Sequence, residues 1–580
     1  MKFVELAAYF EKIEHVSSRL TITSLLAELF NKLSPEELEK TVYLLQGKVV
    51  PSFQKIEFGM AEKTVIKAIV LALNIDKSYF EKESKKMGDL GKAVEFFKKQ
   101  FISFEEKALT ILDTHKELYK IAVAGGDKSQ EYKINSLSFL IRQLDPLSTR
   151  YLVRIPLALM RLGFSDMTVL DAYSWMIGGD KTLRPLIEHA YHVRPDLGYI
   201  GRILKEKGIK EMQKIQPVIC TPIIMMRAER LSSGKEIIDQ IGECAIEPKY
   251  DGFRLQIHYK KENNKAEVRL FSRSLEDVTY MYPDVIEGVK KQIIAKEIIF
   301  EGEAIGFDPT TGSFLPFQET VQRKRKYDII QKAKEIPLKL FSFDLLYLNG
   351  INYIHEPFVE RRKQLETVIQ AKGDVLKDIV VLAPHILMKD PVKIEKNFDT
   401  AIAQGLEGII AKKLNGTYQP GARGWNWIKF KRSYSSKIND TIDCLVMGYD
   451  FGKGKRTDFG IGAFLVGIFD KRQEKYATVA KIGTGLTDEE WRTLELRSKK
   501  LESKIKPDNY YVDKQMVCDV WISPSIVVEI RADEITKSPV HTAGLALRFP
   551  RLERFRDDKR ETDTTTLSEL KKMLIEQEKV

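Results

Sequence analysis

The residue pattern of this chain changes near Pro217, and one hydrophobic core cannot account for both parts. Residues 1 to about 215 carry apolar side chains at three- and four-residue spacing, which predicts helices. Beyond Pro217, β-branched and aromatic runs such as EIIFEGEAIGF and LKLFSFDLLYLNG predict strands. At 580 residues the chain is also too long for a single core. We therefore predict an all-α N-terminal domain followed by strand-rich domains.

The predicted domain boundaries follow these changes in pattern. Residues 1–215 form the helical domain, and residues 216–433 form an α+β domain with antiparallel sheets, in which 359–370 is one helix. Residues 434–560 alternate strands with Gly-rich turns over a length that suits a small β-barrel. Residues 561–580 are polar and then helical, which is typical of a C-terminal tail.

The net charge limits the classes of partner. A charge of +11 and a pI near 9.0 favour an anionic partner, with nucleic acid as the leading candidate. A basic surface that serves only solubility is the alternative. The arginines that follow an apolar helix face at Arg150, Arg154 and Arg161 have the same two interpretations, a contact with DNA phosphates or a solvated helix surface.

Cysteine usage and hydropathy exclude other classes. The four cysteines are far apart, without a Cys-x-x-Cys pair or a nearby histidine, so neither a zinc cluster nor a disulfide framework is predicted. The N-terminus carries charges within its apolar run and lacks the pattern of a signal peptide. No apolar stretch approaches the roughly 20 residues of a membrane span. A cytoplasmic protein without membrane contact is expected.

The segment EPKYDGFRLQIH, residues 247–258, places Lys249 before a Tyr-Asp-Gly turn. A lysine amine becomes a nucleophile when burial or neighbouring cations disfavour its charged form. Arg254 lies close in sequence, and Lys429 and Lys431 follow downstream. The turn at Asp251 can aim the lysine away from its strand. Alone, a K-x-D-G tetrapeptide is common, and a surface lysine in a turn is the alternative.

Further motifs follow this lysine in a fixed order. They are FSRS at 271–274, FEGE at 300–303, FSFDLLYLNG at 341–350, EGII at 407–410, WIKFK at 427–431 and RFPRLERFRDDK at 548–559. Together they resemble the six motifs of the covalent nucleotidyltransferase superfamily, and specifically the ATP-dependent DNA ligases of the archaeal and eukaryotic replicative type. The resemblance covers residues from about 140 to 560. It implies a DNA-binding helical domain, an adenylation domain and a C-terminal OB-fold.

The resemblance also implies a three-step reaction that seals nicks in duplex DNA during replication, repair and recombination. Lys249 would attack the α-phosphate of ATP and release pyrophosphate. The resulting lysyl-AMP would pass its AMP to the 5′-phosphate at a nick. The 3′-hydroxyl would then attack this phosphate and AMP would leave. ATP and Mg²⁺, or Mn²⁺ in its place, are therefore the implied cofactors.

The nucleotide-binding residues are implied by the same motifs. Glu247 resembles the residue at the adenine edge, Arg254 and Arg273 those at the ribose and the nick-side phosphate, and Phe343 the ring that stacks on the purine. A core phenylalanine is the alternative for Phe343. The remaining cations implied near the phosphates are Arg423, Lys429 and Lys431, for which a basic strand facing water is the alternative.

Two glutamates resemble the metal ligands of the family, namely Glu303 and Glu407. Ion pairs at strand ends are the alternative for each. Glu301 departs from the pattern, because the family usually has aspartate there. Its longer side chain leaves open whether it contacts the lysine or the metal in the usual way.

The last motif lies in the predicted barrel. Its residues resemble those that orient pyrophosphate during self-adenylation, namely Arg548, Arg551, Asp558 and Lys559. The barrel would then close on the nucleotide and swing away for DNA, with a hinge near 431–441.

The whole motif set disfavours the rival functions. Messenger-RNA capping enzymes and RNA ligases share the lysine motif but generally lack the helical N-terminal region and the RFPR ending. NAD-dependent ligases have a different domain organisation, which includes a cysteine zinc site. A non-catalytic nick-binding scaffold would not need the intact lysines and glutamates.

A sliding clamp is a partner expected of the family. In KKQFISF, residues 98–104, Gln100, Phe101 and Phe104 resemble a clamp-binding peptide, and an amphipathic helix end is the alternative. We further expect a monomer that binds nicked duplex DNA through its backbone shape, with weak sequence preference and steep salt dependence. An archaeal source and a nucleoid-associated cytoplasmic location are also expected.

Overall fold

The computed structural model describes residues 1–100, 107–308, 313–315, 317–325, 328–371, 378–404, 406–431, 441–452 and 460–578. The chain divides into two compact units, Met1–Lys431 and Arg432–Val580. In the described part of the chain, every helix falls short of the length and apolar content needed to cross a bilayer.

The first half of unit one is helical, as the apolar spacing predicts. Ser34 and Glu37 form a capping box at the start of one helix, and Asp76 and Asp145 accept hydrogen bonds at the start of two others. One core cluster extends from Phe3 to Met212. The helices are α1 Phe3–Glu14, α2 Arg19–Lys32, α3 Pro35–Leu45, α4 Glu62–Leu73, α5 Lys77–Met87, α6 Leu90–Gln100, α7 Ile111–Val123, α8 Ser129–Gln143, α9 Pro146–Arg154, α10 Asp166–Gly178, α11 Arg184–Val193 and α12 Leu197–Lys207.

Arg150 and Arg154 of α9 are buried in ion pairs, whereas Arg161 lies beyond the end of this helix and is about half exposed. Arg154 is 2% exposed and donates to Glu14 Oε2 at 2.8 Å and Asp89 Oδ2 at 2.5 Å. Arg150 pairs with Glu95 and is equally inaccessible to a large ligand. The prediction that these two face DNA phosphates is wrong, and so is the alternative of a solvated surface. They tie α9 to α1 and α6 through opposite charges.

The second half of unit one contains two mainly antiparallel sheets, as predicted. One has the strand order β1-β11-β10-β2-β9, and the other has β4-β3-β5-β6-β7 with β8 beside β6. The parallel pairs among the described strands are β1 with β11 and β6 with β8. The strands are β1 Arg227–Arg230, β2 Cys244–Lys249, β3 Phe253–Glu262, β4 Lys265–Ser272, β5 Glu297–Gly306, β6 Leu338–Leu348, β7 Ile351–Asn352, β8 Val380–Leu382, β9 Ile386–Met388, β10 Gly408–Lys413 and β11 Arg423–Lys431.

Six α-helices accompany these sheets in the residues that the structure describes. The helix predicted at 359–370 is present with slightly shifted bounds as α17. The helices are α13 Gly234–Ile241, α14 Pro283–Gln292, α15 Phe317–Thr320, α16 Ile329–Glu335, α17 Phe358–Val368 and α18 Pro391–Ala403.

Unit two is built on an eight-stranded sheet. Its order is β15-β17-β12-β13-β14-β16, with β18 on β12 and β21 on β18, and β19 and β20 form a separate hairpin. The elements are β12 Ile442–Phe451, β13 Ile461–Asp470, β14 Lys475–Ile482, α19 Asp488–Lys499, β15 Glu502–Ser503, β16 Tyr510–Tyr511, β17 Val520–Ile522, β18 Val527–Arg531, β19 Glu534–Lys537, β20 Leu545–Arg548, β21 Arg551–Phe555 and α20 Leu567–Glu578.

The C-terminal helix is packed onto this unit rather than extended as a tail. Leu570 is fully buried, and Gln577 Nε2 donates to the carbonyl of Ile535 at 3.0 Å. The amide of Ile535 donates back to Gln577 Oε1 at 2.7 Å. These paired hydrogen bonds fix α20 against β19.

Two predicted segments lie largely outside the described residues. Gln100 ends α6, whereas Phe101 and Phe104 of the predicted clamp-binding peptide are not described. Of the predicted hinge at 431–441, residues 432–440 are also outside the description.

Candidate active site

Lys249 ends β2, directly opposite Gly408 of β10. The amide of Glu407 donates to the carbonyl of Lys249 at 3.0 Å, and the Nζ of Lys249 contacts the carboxylate of Glu407. At Gly252 in the following turn, a Cβ atom would meet the carbonyl oxygen of Ala304 at 2.4 Å. The turn therefore requires glycine, because a larger residue would push β3 away from β5.

Lys249 faces a cavity of about 460 Å³ in unit one. The cavity brings together residues from strands that are far apart in the sequence. Most of the predicted nucleotide-binding residues contribute to its wall, namely Glu247, Arg254, Arg273, Glu303, Phe343, Arg423 and Lys429. Phe343 is thus a cavity residue, and its ring meets Trp427 edge-on at 5.8 Å between ring centroids. The alternative of a purely internal phenylalanine does not hold.

Positive charge is concentrated on β11, which runs from Arg423 to Lys431. Burial lowers the pKa of Lys429, and its cationic neighbours Lys431, Arg423 and Lys249 lower it further. Lys431 lies opposite Gly408 and acts electrostatically on Glu407. This strand can neutralise phosphate groups placed in the cavity.

Two carboxylates face the same cations. Burial raises the pKa of Glu303 to about 7, although Lys249 and Arg254 oppose that shift. Burial also acts to raise the pKa of Glu407, but the charge and hydrogen bond of Lys249 outweigh it, so this pKa is lowered. Glu407 adds to the rise at Glu303 through like-charge repulsion. In the part of the chain that the structure describes, no cluster of three or more His, Cys, Asp or Glu side chains could hold a metal.

The raised pKa of Glu303 predicts a stability effect that depends on pH. The folded protein retains a proton on this carboxyl between the ordinary pKa of 4.5 and about 7, where the unfolded chain releases it. The free energy of unfolding therefore decreases as the pH rises through this window. We expect Glu303→Gln to raise the stability at pH 8 by about 1–2 kcal/mol and to have little effect at pH 4.

Thermal unfolding without metal or nucleotide, at both pH values, measures this effect. Glu262→Gln is a matched control, because Glu262 is exposed on the same sheet. An equal shift in Tm at both pH values for Glu303→Gln would contradict the assigned cause.

Glu301, where the family usually has aspartate, does not contact Lys249 in this structure. Its carboxylate is fully buried and accepts hydrogen bonds from Arg254 Nη2 at 2.6 Å and the Tyr418 hydroxyl at 3.1 Å. Gln256 donates to its other oxygen at 3.2 Å. Glu301 therefore orients Arg254, whose Nη1 also donates to the carbonyl of Met226 at 2.7 Å.

Several residues of the cavity region were not predicted from the sequence. Lys412, Tyr250 and Trp427 line the cavity, and Tyr418 lies behind Arg254. The signal for Lys412 is its place in the strand EGIIAKK, where every second residue faces the same side. The aromatic residues offered a weaker signal, because strand aromatics usually fill cores.

The residues of the last motif belong to unit two, where each forms an ion pair with a residue of the same unit. Arg548 Nη1 lies 3.3 Å from Glu534 Oε2, and Lys559 Nζ lies 2.5 Å from Asp443 Oδ2. Arg551 pairs with Asp533 at 2.5 Å, and Asp558 pairs with Arg556 at 2.7 Å. Their role with pyrophosphate stays a prediction.

Comparisons with known proteins agree along the chain. Residues 225–431 match the family model described as ATP dependent DNA ligase domain, 2–174 match DNA ligase N terminus, and 457–559 match ATP dependent DNA ligase C terminal region. A probable DNA ligase of Dictyoglomus turgidum is 47% identical, covering 100% of this chain and 98% of that protein.

A DNA ligase of Saccharolobus solfataricus is 40% identical, with coverage of 100% of this chain and 98% of the relative. The solved structure titled Pmar-Lig_PreS3 has a TM-score of 0.54 at 16% identity, covering 95% of this chain and 99% of that one. This structural likeness concerns the fold alone.

Proposed function

The chain belongs to the ATP-dependent DNA ligase family, so it is an enzyme that seals nicks in DNA, and we propose that the Nζ of Lys249 carries the AMP. One observation supports this assignment above the others. Lys249 lies on the wall of a cavity that it shares with the Phe343 ring, several cations and the carboxylate of Glu303, and its Nζ contacts the carboxylate of Glu407. Phosphoryl transfer requires mainly such positioning and charge neutralisation.

The first step forms a bond between Nζ and the α-phosphorus of ATP, while the bond from that phosphorus to pyrophosphate breaks. Glu407 contacts Nζ and holds it at the cavity wall. Arg423, Lys429 and Lys431 stabilise the charge on the α-phosphate. Arg254, fixed by Glu301, contacts the ribose, and the Phe343 ring stacks on the purine.

The second and third steps use the same cavity. The 5′-phosphate of the nick displaces Nζ from the AMP phosphorus, and Arg273 at the cavity wall contacts this incoming phosphate. The 3′-hydroxyl then attacks the 5′-phosphate, the new phosphodiester bond forms, and AMP leaves with the electron pair of the broken bond.

A divalent cation fits the carboxylate pair of the site. Glu303 is buried beside Glu407, and their mutual repulsion is one that a divalent cation would relieve. We propose that both hold Mg²⁺ or Mn²⁺ together with phosphate oxygens, as is usual for Mg²⁺. The bound ion would neutralise phosphate charge.

Labelling with ATP tests this proposal. The protein is incubated with α-³²P-ATP and Mg²⁺ and denatured, and we expect label to remain on the protein. Adding a nicked duplex before denaturation should remove the label as the strand is sealed. γ-³²P-ATP is the control, since its label leaves with pyrophosphate.

Two other outcomes favour the rival functions. Label that resists the DNA chase would indicate RNA or another acceptor. Absence of label with Mn²⁺, and after removal of any bound AMP, would favour a non-catalytic nick-binding scaffold.

Finer assignments accompany this function. We propose that the helical domain binds the duplex, that residues 434–560 form an OB-fold, and that Arg548 and Lys559 orient the pyrophosphate. We further propose a monomer located at the nucleoid of the cytoplasm, with a sliding clamp bound through Gln100, Phe101 and Phe104. Unchanged clamp binding after replacement of Phe101 and Phe104 by alanine would contradict the clamp contact.

A further inference from the structure

Lys412 is a buried lysine in the wall of the nucleotide cavity, on β10. Its side chain is 2% exposed. Its Nζ donates to Glu247 Oε2 at 2.8 Å and to the carbonyl of Phe343 at 2.9 Å. Lys412 thus contacts both residues that face the base in the proposed function.

Three aromatic rings surround the same ammonium group. Its Nζ lies 4.7 Å from the centroid of Phe343, 4.8 Å from that of Trp427 and 4.9 Å from that of Phe358. Ring faces attract a cation at such distances. These contacts favour the charged amine in a place where burial lowers its pKa.

Glu247 has one oxygen occupied and one available. Oε2 accepts the hydrogen bond of Lys412, whereas Oε1 has no hydrogen-bond partner among the described residues, although Glu247 is 4% exposed. Arg362 Nη1 lies 4.0 Å from this oxygen and also lacks a hydrogen-bond partner in the described part of the chain. A buried acceptor of this kind is costly unless a ligand supplies the donor.

We propose that Lys412 is a specificity-determining residue that makes the cavity accept adenine and reject guanine, by holding Glu247 as an anionic hydrogen-bond acceptor at the edge of the base. This inference rests on the proposed function. Adenine presents an amine at its sixth position and therefore donates, whereas guanine presents a carbonyl oxygen there. An anionic carboxylate accepts from the first and repels the second.

Removing the ammonium group of Lys412 changes the protonation of Glu247, the hydrogen-bond acceptor. Burial already raises the pKa of Glu247, and Lys412 and Arg362 oppose that rise. Without Lys412 the carboxyl binds a proton and becomes a donor, which guanine can accept. Asp344 also faces Glu247 and raises its pKa, and burial together with the charge of Glu247 raises the pKa of the neighbouring Tyr250.

The experiment compares labelling of the full chain by α-³²P-ATP and α-³²P-GTP. For Lys412→Met we expect the ratio of kcat/KM for ATP to that for GTP to fall by at least about tenfold. Raising the pH from 6 to 9 should restore part of the ATP-to-GTP ratio of kcat/KM in this variant. The same change should not alter this ratio in the wild type. An effect of pH on the shared nucleophile cancels in this ratio, because both nucleotides require the same amine.

Two variants separate specificity from packing. Lys339→Met is the matched control, because Lys339 is also buried, donates to the carbonyl of Asp378 at 2.8 Å and lies outside the cavity wall. It should lower the stability without changing the ratio. Lys412→Arg retains the charge and should retain more of the ratio than Lys412→Met.

Glu247→Gln provides a second route if Lys412→Met does not fold. It should lower the ratio by a similar factor, and in the double variant the two effects should not multiply, because both act through one carboxylate. An unchanged ratio in Lys412→Met or in Glu247→Gln, or multiplying effects in the pair, would overturn the inference. Failure of the wild type to take label from ATP would instead overturn the proposed function.

Discussion

Replacing Lys249 by alanine is expected to reduce ATP-dependent sealing of a nicked duplex by about 10⁴-fold or more. The loss is this large because, in the proposed function, the amine of Lys249 forms the covalent bond to AMP. Sealing of a nick that already carries AMP on its 5′-phosphate should fall far less. In that reaction the 3′-hydroxyl is the nucleophile, and the amine forms no bond.

Denaturing gels of the sealed strand measure both reactions. Lys413→Ala is a matched control, because Lys413 ends the neighbouring β10 and lies outside the cavity wall. Its two activities should remain close to those of the wild type. Retention of protein label by Lys249→Ala would show that another residue is the nucleophile.

Replacing Arg361 by methionine is expected to lower the free energy of unfolding by about 3–5 kcal/mol. Arg361 and Asp344 are both fully buried, with Nε to Oδ1 at 2.7 Å and Nη2 to Oδ2 at 3.0 Å. Nη1 donates to the carbonyls of Glu356 and Gly416. The substitution leaves the charge of Asp344 buried without its counter-ion, beside Phe343 of the cavity.

Urea denaturation with a probe in the first unit measures this loss. The double variant Arg361→Met, Asp344→Leu should lose less, since it removes the unpaired charge as well. Arg269→Met is a surface control, because its pair with Glu267 is about half exposed, and its effect should stay within about 1 kcal/mol. A double variant as unstable as Arg361→Met would show that packing, and not charge, dominates.

The order of the motifs was enough to predict which residues line one cavity with Lys249. Lys249, Glu303, Phe343 and Lys429 lie on four different strands, yet all of them line one cavity. This was predictable because covalent nucleotidyl transfer requires one set of side chains, and their order along the chain identifies the family. The helical first part and the strand-rich second part follow from residue periodicity.

The sequence could not predict how Glu301 is used. A glutamate in place of the usual aspartate was compatible with a contact to the lysine or to a metal. The fold pairs it with Arg254 instead, and Tyr418, more than a hundred positions further along the chain, donates to the same oxygen. Such a choice depends on which groups the folded chain brings within hydrogen-bond distance.

By itself, then, the sequence determined the helical and strand-rich parts, the family, and most of the residues that line the cavity beside Lys249. Only the tertiary structure decided which charged side chains outside the motifs are buried. Arg154 is buried because Glu14 of α1 and Asp89, just before α6, pair with it, and Lys412 is buried because Glu247 pairs with it from the neighbouring strand. Apolar periodicity identifies a buried face locally, whereas a charge can be buried only when an opposite charge reaches it.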